Sequence, residues 1–427
     1  MSRPGVRVLV WLALAVAIPA CQSPPARQCS LVERVPVTEL VDPSRGVDTV
    51  PVLDVKVCDA LAARTSTSDI TPVSATAGKK PFNVLVLSGG GAYGAYSAGV
   101  LAGWTEAGTR PQFDVVTGVS TGALVATLAF LGPDRDPDLK RFYTKVTDKD
   151  VYARKSDIEA LFSDSFRESK PLAKLIEMVV DQQVLKEIAA EHAKGRRLYV
   201  GTTHLDARRL VVWDMGEIAS RGRPQDLALF RQVLLASASI PGFFPPVPIN
   251  VEIDGKPAEE LHVDGGVTAS LFFRSPHVAH GQLKRLGDRP LEGSNLYIVV
   301  AGKLYADPGC VERRLLPIAT DSISALLYSQ CRGDLFQLYA LALATGMNYR
   351  MTSIPMDVDL PRDATSFDPK VMGWLYEQGR ERAKSEHLWR TTPPGTEPGE
   401  EIPIRGGIQL QSVPKAGGDK VAPTTGR

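Results

Sequence analysis

Two short stretches carry residues suited to acyl chemistry. Gly118-Val119-Ser120-Thr121-Gly122 puts a serine at the bend of a Gly-x-Ser-x-Gly pattern, with the apolar run Val115-Val116-Thr117 before it and the apolar segment 121–131 after it. A strand, a sharp turn and a helix in that order push the serine hydroxyl outward, provided its neighbours are small enough for strand and helix to cross closely. About two dozen residues upstream, Val84-Leu85-Val86-Leu87-Ser88 runs into Gly89-Gly90-Gly91-Ala92-Tyr93-Gly94. This is a second buried strand breaking into a glycine turn, where bare peptide N–H groups at a helix start can hold a developing oxyanion.

Gly89-x-Gly91-x-x-Gly94 also matches the dinucleotide fingerprint, which requires an acidic residue at the end of the second strand to take the ribose hydroxyls. Asp114 stands at the beginning of that strand, so the fit is poor. A serine hydroxyl needs a base. The six histidines are His192, His204, His262, His277, His280 and His387, and a Ser, Asp, His order would use Asp264 with His277 or His280. Asp264 itself ends the strand Leu261-His262-Val263 and precedes Gly265-Gly266, so it is also placed to act as the base directly. His262 lies two residues away on the same strand face and reads as a packing histidine.

The elements that must position these groups follow from hydrophobic periodicity. A helix is expected over 96–107, a nearly all-apolar helix over 121–131, and helical segments between 138 and 197. Arg197–Thr203 and Arg209–Trp213 read as strands of a hairpin. A helix over 227–237 leads into Ala238-Ser239-Ile240-Pro241-Gly242-Phe243-Phe244-Pro245-Pro246. Downstream come a strand at 295–300, a helical stretch over 316–344 broken near Gly333, and a last helix over 373–387. The pairs Phe243-Phe244 and Phe272-Phe273 are candidates for an apolar channel lining, one of the two being expected there.

Composition sets the frame. The chain has 427 residues, 44% hydrophobic and 23% charged, with a net charge of +1, which suits a globular protein and gives no electrostatic case for a nucleic-acid partner. Arg3 and Arg7 precede the apolar run 8–18, too short to span a bilayer and flanked like a secretory signal. Ile18-Pro19-Ala20-Cys21 resembles the lipobox of bacterial lipoproteins, which implies lipidation at Cys21 and, with Gln22 after it, an exported protein anchored at the periplasmic face of the outer membrane. The expected organisation is a signal peptide over 1–20, a tether over 21–80, a catalytic core over 81–280, a C-terminal α/β extension over 281–390 packed on that core, and a disordered tail over 391–427. Cys29, Cys58, Cys310 and Cys331 remain as an even set in an exported chain. Three pairings are possible, of which the one of least reach joins Cys29 with Cys58 and Cys310 with Cys331.

Taken together and in order, Gly89-Gly90-Gly91-Ala92-Tyr93-Gly94, Gly118-Val119-Ser120-Thr121-Gly122, Ala236-Ser237-Ala238-Ser239-Ile240-Pro241 through Phe244-Pro245-Pro246, and Asp264-Gly265-Gly266 resemble the motifs of patatin-like phospholipases over residues 82 to 277. The resemblance implies a three-layer α/β/α fold with a mostly parallel central sheet and hydrolysis of lipid acyl esters by a Ser-Asp dyad without histidine, metal or nucleotide. Carried over by position, Ser120 is the nucleophile and Asp264 the base. Gly118 and Gly122 form the elbow, and Gly265 and Gly266 the turn after the base. Gly89, Gly90, Gly91, Ala92 and Gly94 form the oxyanion segment, with the N–H groups of Gly90, Gly91 and Ala92 as its donors. Tyr93 departs from the Arg or Lys common at its position, which leaves backbone donors as the main stabiliser. Acyl transfer between lipids and a non-catalytic lipid-binding scaffold are the alternatives.

Overall fold

The computed structural model describes residues 82–154, 165–253, 256–273, 291–361, 363–397 and 400. The signal, the tether, Cys21, Cys29, Cys58, His277, His280 and the tail beyond 400 lie outside the described residues. The main sheet contains β1 (Asn83–Leu87), β2 (Val115–Val119), β3 (Arg197–His204), β4 (Arg209–Asp214), β5 (Val247–Ile253), β6 (Lys256–Asp264), β7 (Asn295–Val300) and β8 (Asn348–Ser353). Its order is β8-β7-β1-β2-β3-β6-β5, with β4 paired to the other edge of β3. The run β8-β7-β1-β2-β3 is parallel, and the β4, β5 and β6 pairings are antiparallel.

Around the sheet lie α1 (Gly94–Glu106), α2 (Thr121–Leu131), α3 (Asp136–Lys145), α4 (Lys170–Val179), α5 (Gln182–Ala193), α6 (Pro224–Ser237), α7 (Leu315–Thr345) and α8 (Pro369–Ala383). Alternation along β1 sorts the two layers, as a strand must. Leu85 and Leu87 enter the core shared with α1, α2 and α8, while Val84 and Val86 enter the core covered by α7. The chain thus adopts the three-layer α/β/α fold with a mostly parallel central sheet expected from the motifs.

The C-terminal third is more deeply integrated than an extension packed on a core. β7 pairs β1 directly, Asn83 through Leu87 against Asn295 through Val299, and so completes the sheet. The helix α8 lies against α1 at backbone distance. A Cβ added at Gly99 would stand 1.9 Å from the Tyr376 carbonyl oxygen, and one at Gly103 would stand 2.1 Å from that of Arg380. The helix that leaves the glycine turn is therefore held by a segment from the far end of the chain.

Four further expectations change. The helix over 315–345 runs unbroken through Gly333, whose Cβ position is open space, so the residue forces no bend. The strand ending at Asp264 is the second arm of a β5–β6 hairpin not foreseen from the sequence. Cys331 is a free thiol, pushed up to about 12 by burial, whereas Cys310 is disulfide-bonded, so the pairing of these two does not form. The fold also continues past residue 391, because Arg390 donates from both terminal nitrogens to the Glu400 carboxylate at 2.7 Å and also to the carbonyls of Thr392 and Pro393.

If the α1–α8 contact fixes the glycine turn as described, Gly99→Val separates the two helices. The expected cost is at least about 2 kcal/mol of unfolding free energy, measured by chemical denaturation.

Candidate active site

The register of one strand edge explains how two residues so far apart in sequence meet. β2 covers the first half of one edge of β3, ending with Val119 opposite Gly201. β6 runs in from the other direction along the same edge and places Asp264 opposite Thr202. The two strands end head to head on adjacent residues of β3. Ser120, the next residue after Val119, and Asp264 are thereby neighbours.

Ser120 has φ 57° and ψ −129°, one of two non-glycine residues with positive φ among the described residues. This is a strained conformation for a residue with a Cβ, and it turns the hydroxyl away from β2. Gly118 and Gly122 permit the tight crossing: a Cβ at Gly118 would lie 2.3 Å from the Gly122 carbonyl, and one at Gly122 would lie 2.5 Å from those of Leu87 and Ser88. The Ser120 N–H donates to Ser237 Oγ at 2.9 Å, and Ser237 Oγ donates to the Gly201 carbonyl at 2.7 Å. Two residues on, the Ser239 carbonyl accepts the Asp264 N–H at 2.8 Å. The end of α6 and the residues just after it therefore tie down both Ser120 and Asp264. Ser237 stands inside one of the sequence motifs but acquires this role only in the fold; its exposure is zero, and a serine between alanines on an apolar helix was the one signal of it in the sequence.

Asp264 is 5% exposed. Its Oδ1 accepts the Gly266 N–H at 2.7 Å, and the neighbouring Ser120 side chain favours its charged form. Burial outweighs these two influences and raises the carboxyl to about 6, since desolvation penalises the charged form. Gly265 lets β6 end against the elbow, as a Cβ there would meet the Gly201 carbonyl at 2.6 Å.

His262 is fully buried and engaged elsewhere. Its Nδ1 pairs with Thr202 Oγ1 at 2.9 Å and its Nε2 with Glu260 at 3.0 Å, while its ring stacks on His204 with the centroids 5.2 Å apart. Burial holds its imidazole below the usual value. Both ring nitrogens are thus committed away from Ser120 and Asp264, and His262 packs rather than catalyses.

The glycine turn abuts the serine, since a Cβ at Gly89 would lie 3.0 Å from that of Ser120. Gly90 is backed by the Ala301 carbonyl, and Gly91, with φ +54°, by that of Ala364. The donor set is narrower than the motif suggests. The Ala92 N–H donates to the Ala364 carbonyl at 2.8 Å, and that of Gly94 closes the short turn onto the carbonyls of Gly91 and Ala92. Ala92 and Gly94 thus shape the turn, and the N–H groups before them are the ones left for a ligand. Tyr93, whose phenol burial pushes up to about 12, donates its hydroxyl to the Pro361 carbonyl. In place of a cation, this position anchors Pro361 beside the turn, near the Ala364 carbonyl that takes the Ala92 N–H.

A narrow cleft opens beside Ser120. Leu124, Phe142, Tyr143, Leu172, Phe243, Phe244, Phe367 and Met372 give it an apolar wall. Of the two Phe pairs, Phe243-Phe244 lines it. Phe272 instead packs near Gly201 with its carbonyl accepting the Thr117 hydroxyl at 2.7 Å, and Phe273 joins the α7-side core. Among the described residues, no group of three His, Cys, Asp or Glu side chains is placed to hold a metal ion.

Residues 85–276 match the family model described as patatin-like phospholipase. These residues form a patatin-like phospholipase domain. The family that these residues match is one of lipid ester hydrolases. Solved structures similar to this chain include VipD from Legionella pneumophila, at 13% identity and a TM-score of 0.35, covering 74% of this chain and 68% of that one. The type III effector protein ExoU matches at 13% identity and a TM-score of 0.29, covering 72% of this chain and 52% of that one. Full-length ExoU in complex with SpcU, from Pseudomonas aeruginosa, matches at 15% identity and a TM-score of 0.22, with the same coverage. This chain thus spans about half the length of ExoU. No curated protein matches it significantly.

Within the patatin-like domain, Ser237→Ala leaves the buried N–H of the strained Ser120 without its acceptor. A loss of about 1–3 kcal/mol in stability is expected from the unsatisfied group. A fall of at least about 10-fold in kcat/KM is expected from misplacement of the hydroxyl, read by denaturation and ester hydrolysis on the same preparation.

Proposed function

We propose that the chain hydrolyses acyl esters of lipids, as a phospholipase A, lysophospholipase or esterase, through a Ser120–Asp264 dyad and a backbone oxyanion site at Gly89, Gly90 and Gly91. The observation that carries this reading is the meeting of Ser120 with the buried Asp264 where two strands end on adjacent residues of β3, the Asp264 carboxyl being raised to about 6. A carboxylate of ordinary pKa near ~3.9 is a poor proton acceptor, and one near ~6 is much better matched to neutral pH. Asp264 takes the Ser120 proton as Oγ attacks the ester carbonyl, and the oxyanion forms against the glycine turn. Asp264 then returns the proton to the departing alcohol. Water, activated by the same carboxylate, cleaves the acyl-enzyme and frees the fatty acid.

The apolar cleft is the natural seat of the acyl chain, with its reactive end at Ser120 and its tail against Leu124, Phe142 and Leu172. Lipidation at Cys21 and residence at the periplasmic face of the outer membrane complete the proposed setting, consistent with the lipobox-like segment before it.

Ser120→Ala is expected to lower kcat/KM on a lipid ester at least about 1000-fold and to abolish fluorophosphonate labelling. Asp264→Asn is expected to lower kcat/KM at least about 100-fold. The wild-type profile should be flat above pH 6 and fall about tenfold per pH unit below it. A raised carboxyl pKa makes the native state bind the proton more tightly than the unfolded chain, so stability from this group is lost as pH rises from about 4 to about 6. Asp264→Asn should therefore be at least as stable as wild type at pH 7 while inactive. Wild-type activity in Asp264→Asn would exclude the dyad.

Leu124→Trp fills the cleft beside Ser120. The ratio of kcat/KM for long-chain over short-chain esters should drop at least about 10-fold, each methylene lost from the cleft being worth about 0.8 kcal/mol. An unchanged ratio places the acyl chain elsewhere.

A further inference from the structure

α7 is longer than the sheet it covers. At about 1.5 Å per residue, its 31 residues extend roughly 46 Å, whereas the six residues of β7 extend roughly 20 Å. Its buried residues, Asp334, Leu335, Leu338, Ala342 and Thr345, all fall in the second half. α7 follows β7 and precedes the parallel strand β8, so its second half runs down the sheet and its first half stands beyond the C-terminal edge of the parallel strands. That is the edge on which the glycine turn and Ser120 lie. Gln330, at the point where the helix leaves the body, donates to the Gly266 carbonyl at 3.2 Å, two residues from Asp264.

The projecting half is apolar and, among the described residues, uncovered. Leu315 is 83% exposed, Leu316 74% and Leu326 68%, with Ile318, Ile323 and Leu327 also exposed. Asp321 is the one charged residue between 315 and 331. Placed on a helix of 3.6 residues per turn, the six apolar side chains spread over an arc of about 180°. A helix–helix seam uses a narrower stripe, and a single packing face does not account for this breadth. Val267, 44% exposed, continues the apolar surface at the turn after Asp264. Arg313 and Arg314 flank the helix start against one acidic neighbour, Glu312, which pairs with Arg314 at 3.4 Å. No helix among the described residues is long and apolar enough to cross a membrane.

From these observations we infer that the first half of α7 is a lipid-surface docking element, which enters the acyl layer of a membrane and brings the Ser120 edge against it. The occupant is a lipid layer because the uncovered arc is broad and nearly uncharged, is flanked by cations suited to anionic headgroups, and adjoins the mouth through which an acyl ester must pass. The inference rests on the lipid-hydrolase reading of the site, but its test does not depend on turnover.

The test uses full-length Ser120→Ala that also carries Cys21→Ser, so that it neither hydrolyses the probe lipid nor carries a lipid anchor, with vesicles of phosphatidylcholine and phosphatidylglycerol. Amide hydrogen exchange across 315–327 is expected to slow at least about 10-fold when vesicles are added. The added substitutions Leu316→Glu, Ile323→Glu and Leu327→Glu are expected to abolish that protection and to lower vesicle co-sedimentation at least about 10-fold. In the Ser120 background, the same three changes should lower hydrolysis of vesicle lipid and leave hydrolysis of a water-soluble short-chain ester within about twofold, since they lie outside the cleft. Three results overturn the inference: exchange over 315–327 unaffected by vesicles that bind the protein; protection already present without lipid that rises with protein concentration, which makes the helix a contact between copies; or lipid-free protection independent of concentration, which makes another segment of this chain its cover.

Discussion

A carboxylate kept almost out of water beside a serine hydroxyl is the constraint on which the rest of the site depends. Asp264 is 5% exposed and has one backbone N–H and one hydroxyl for company. Fewer donors than an ionised carboxylate can use, combined with burial, make it reluctant to carry charge. That reluctance is what gives it basicity. The surrounding chain resists the two relaxations that would relieve it. β6 is pinned to β3 at Thr202 and to the Ser239 carbonyl, so the carboxyl cannot swing into solvent, and the strained Ser120 is fixed through its own N–H to Ser237.

The peptide N–H groups of the glycine turn divide between two jobs, and the C-terminal third decides the division. The Ala364 carbonyl takes the Ala92 N–H and Pro361 takes the Tyr93 hydroxyl, so the turn is clamped from outside at the point where it becomes a helix. Phe367 and Met372, from the same stretch, form part of the cleft wall. The clamp is itself held by α8 packed at backbone distance on α1. A domain match ending at residue 276 thus describes the residues proposed to do the chemistry, while the groups that hold the turn and close the cleft come from beyond it.

Motifs governed by steric exclusion were legible in the sequence. Gly118, Gly122 and Gly91 sit where a side chain would strike backbone within 2.5 Å, and little besides such close approach demands glycine at that spacing. The β3–β4 hairpin and the apolar helix behind Ser120 were legible for a related reason, since periodicity and turn residues act locally. The head-to-head meeting of β2 and β6 on β3 was not, because register between segments so far apart in the chain is a property of the folded sheet. It became an expectation only through family resemblance. Phe243-Phe244 and Phe272-Phe273 look alike in composition, and only packing separates a cleft wall from a core. The Cys310 and Cys331 expectation failed because proximity in sequence says nothing of which way two residues on a loop and a helix face.

The absence of a histidine from the proposed dyad fits the apolar character of its surroundings. When an imidazole accepts a serine proton, a neutral pair becomes a cation and an oxyanion, and charge must be separated inside the site. When Asp264 accepts it, the negative charge already present moves from the carboxylate to the oxyanion, and the number of charges stays at one. In a cleft walled by Leu124, Phe142, Phe243 and Phe244, separated charge is poorly solvated, and moving an existing charge demands less of the medium. The cost falls on the ground state, where the carboxylate must be held buried and ionised near neutral pH. The raised pKa of Asp264 is the mark of that cost, and the glycine turn gains the most by receiving a charge that was badly placed where it began.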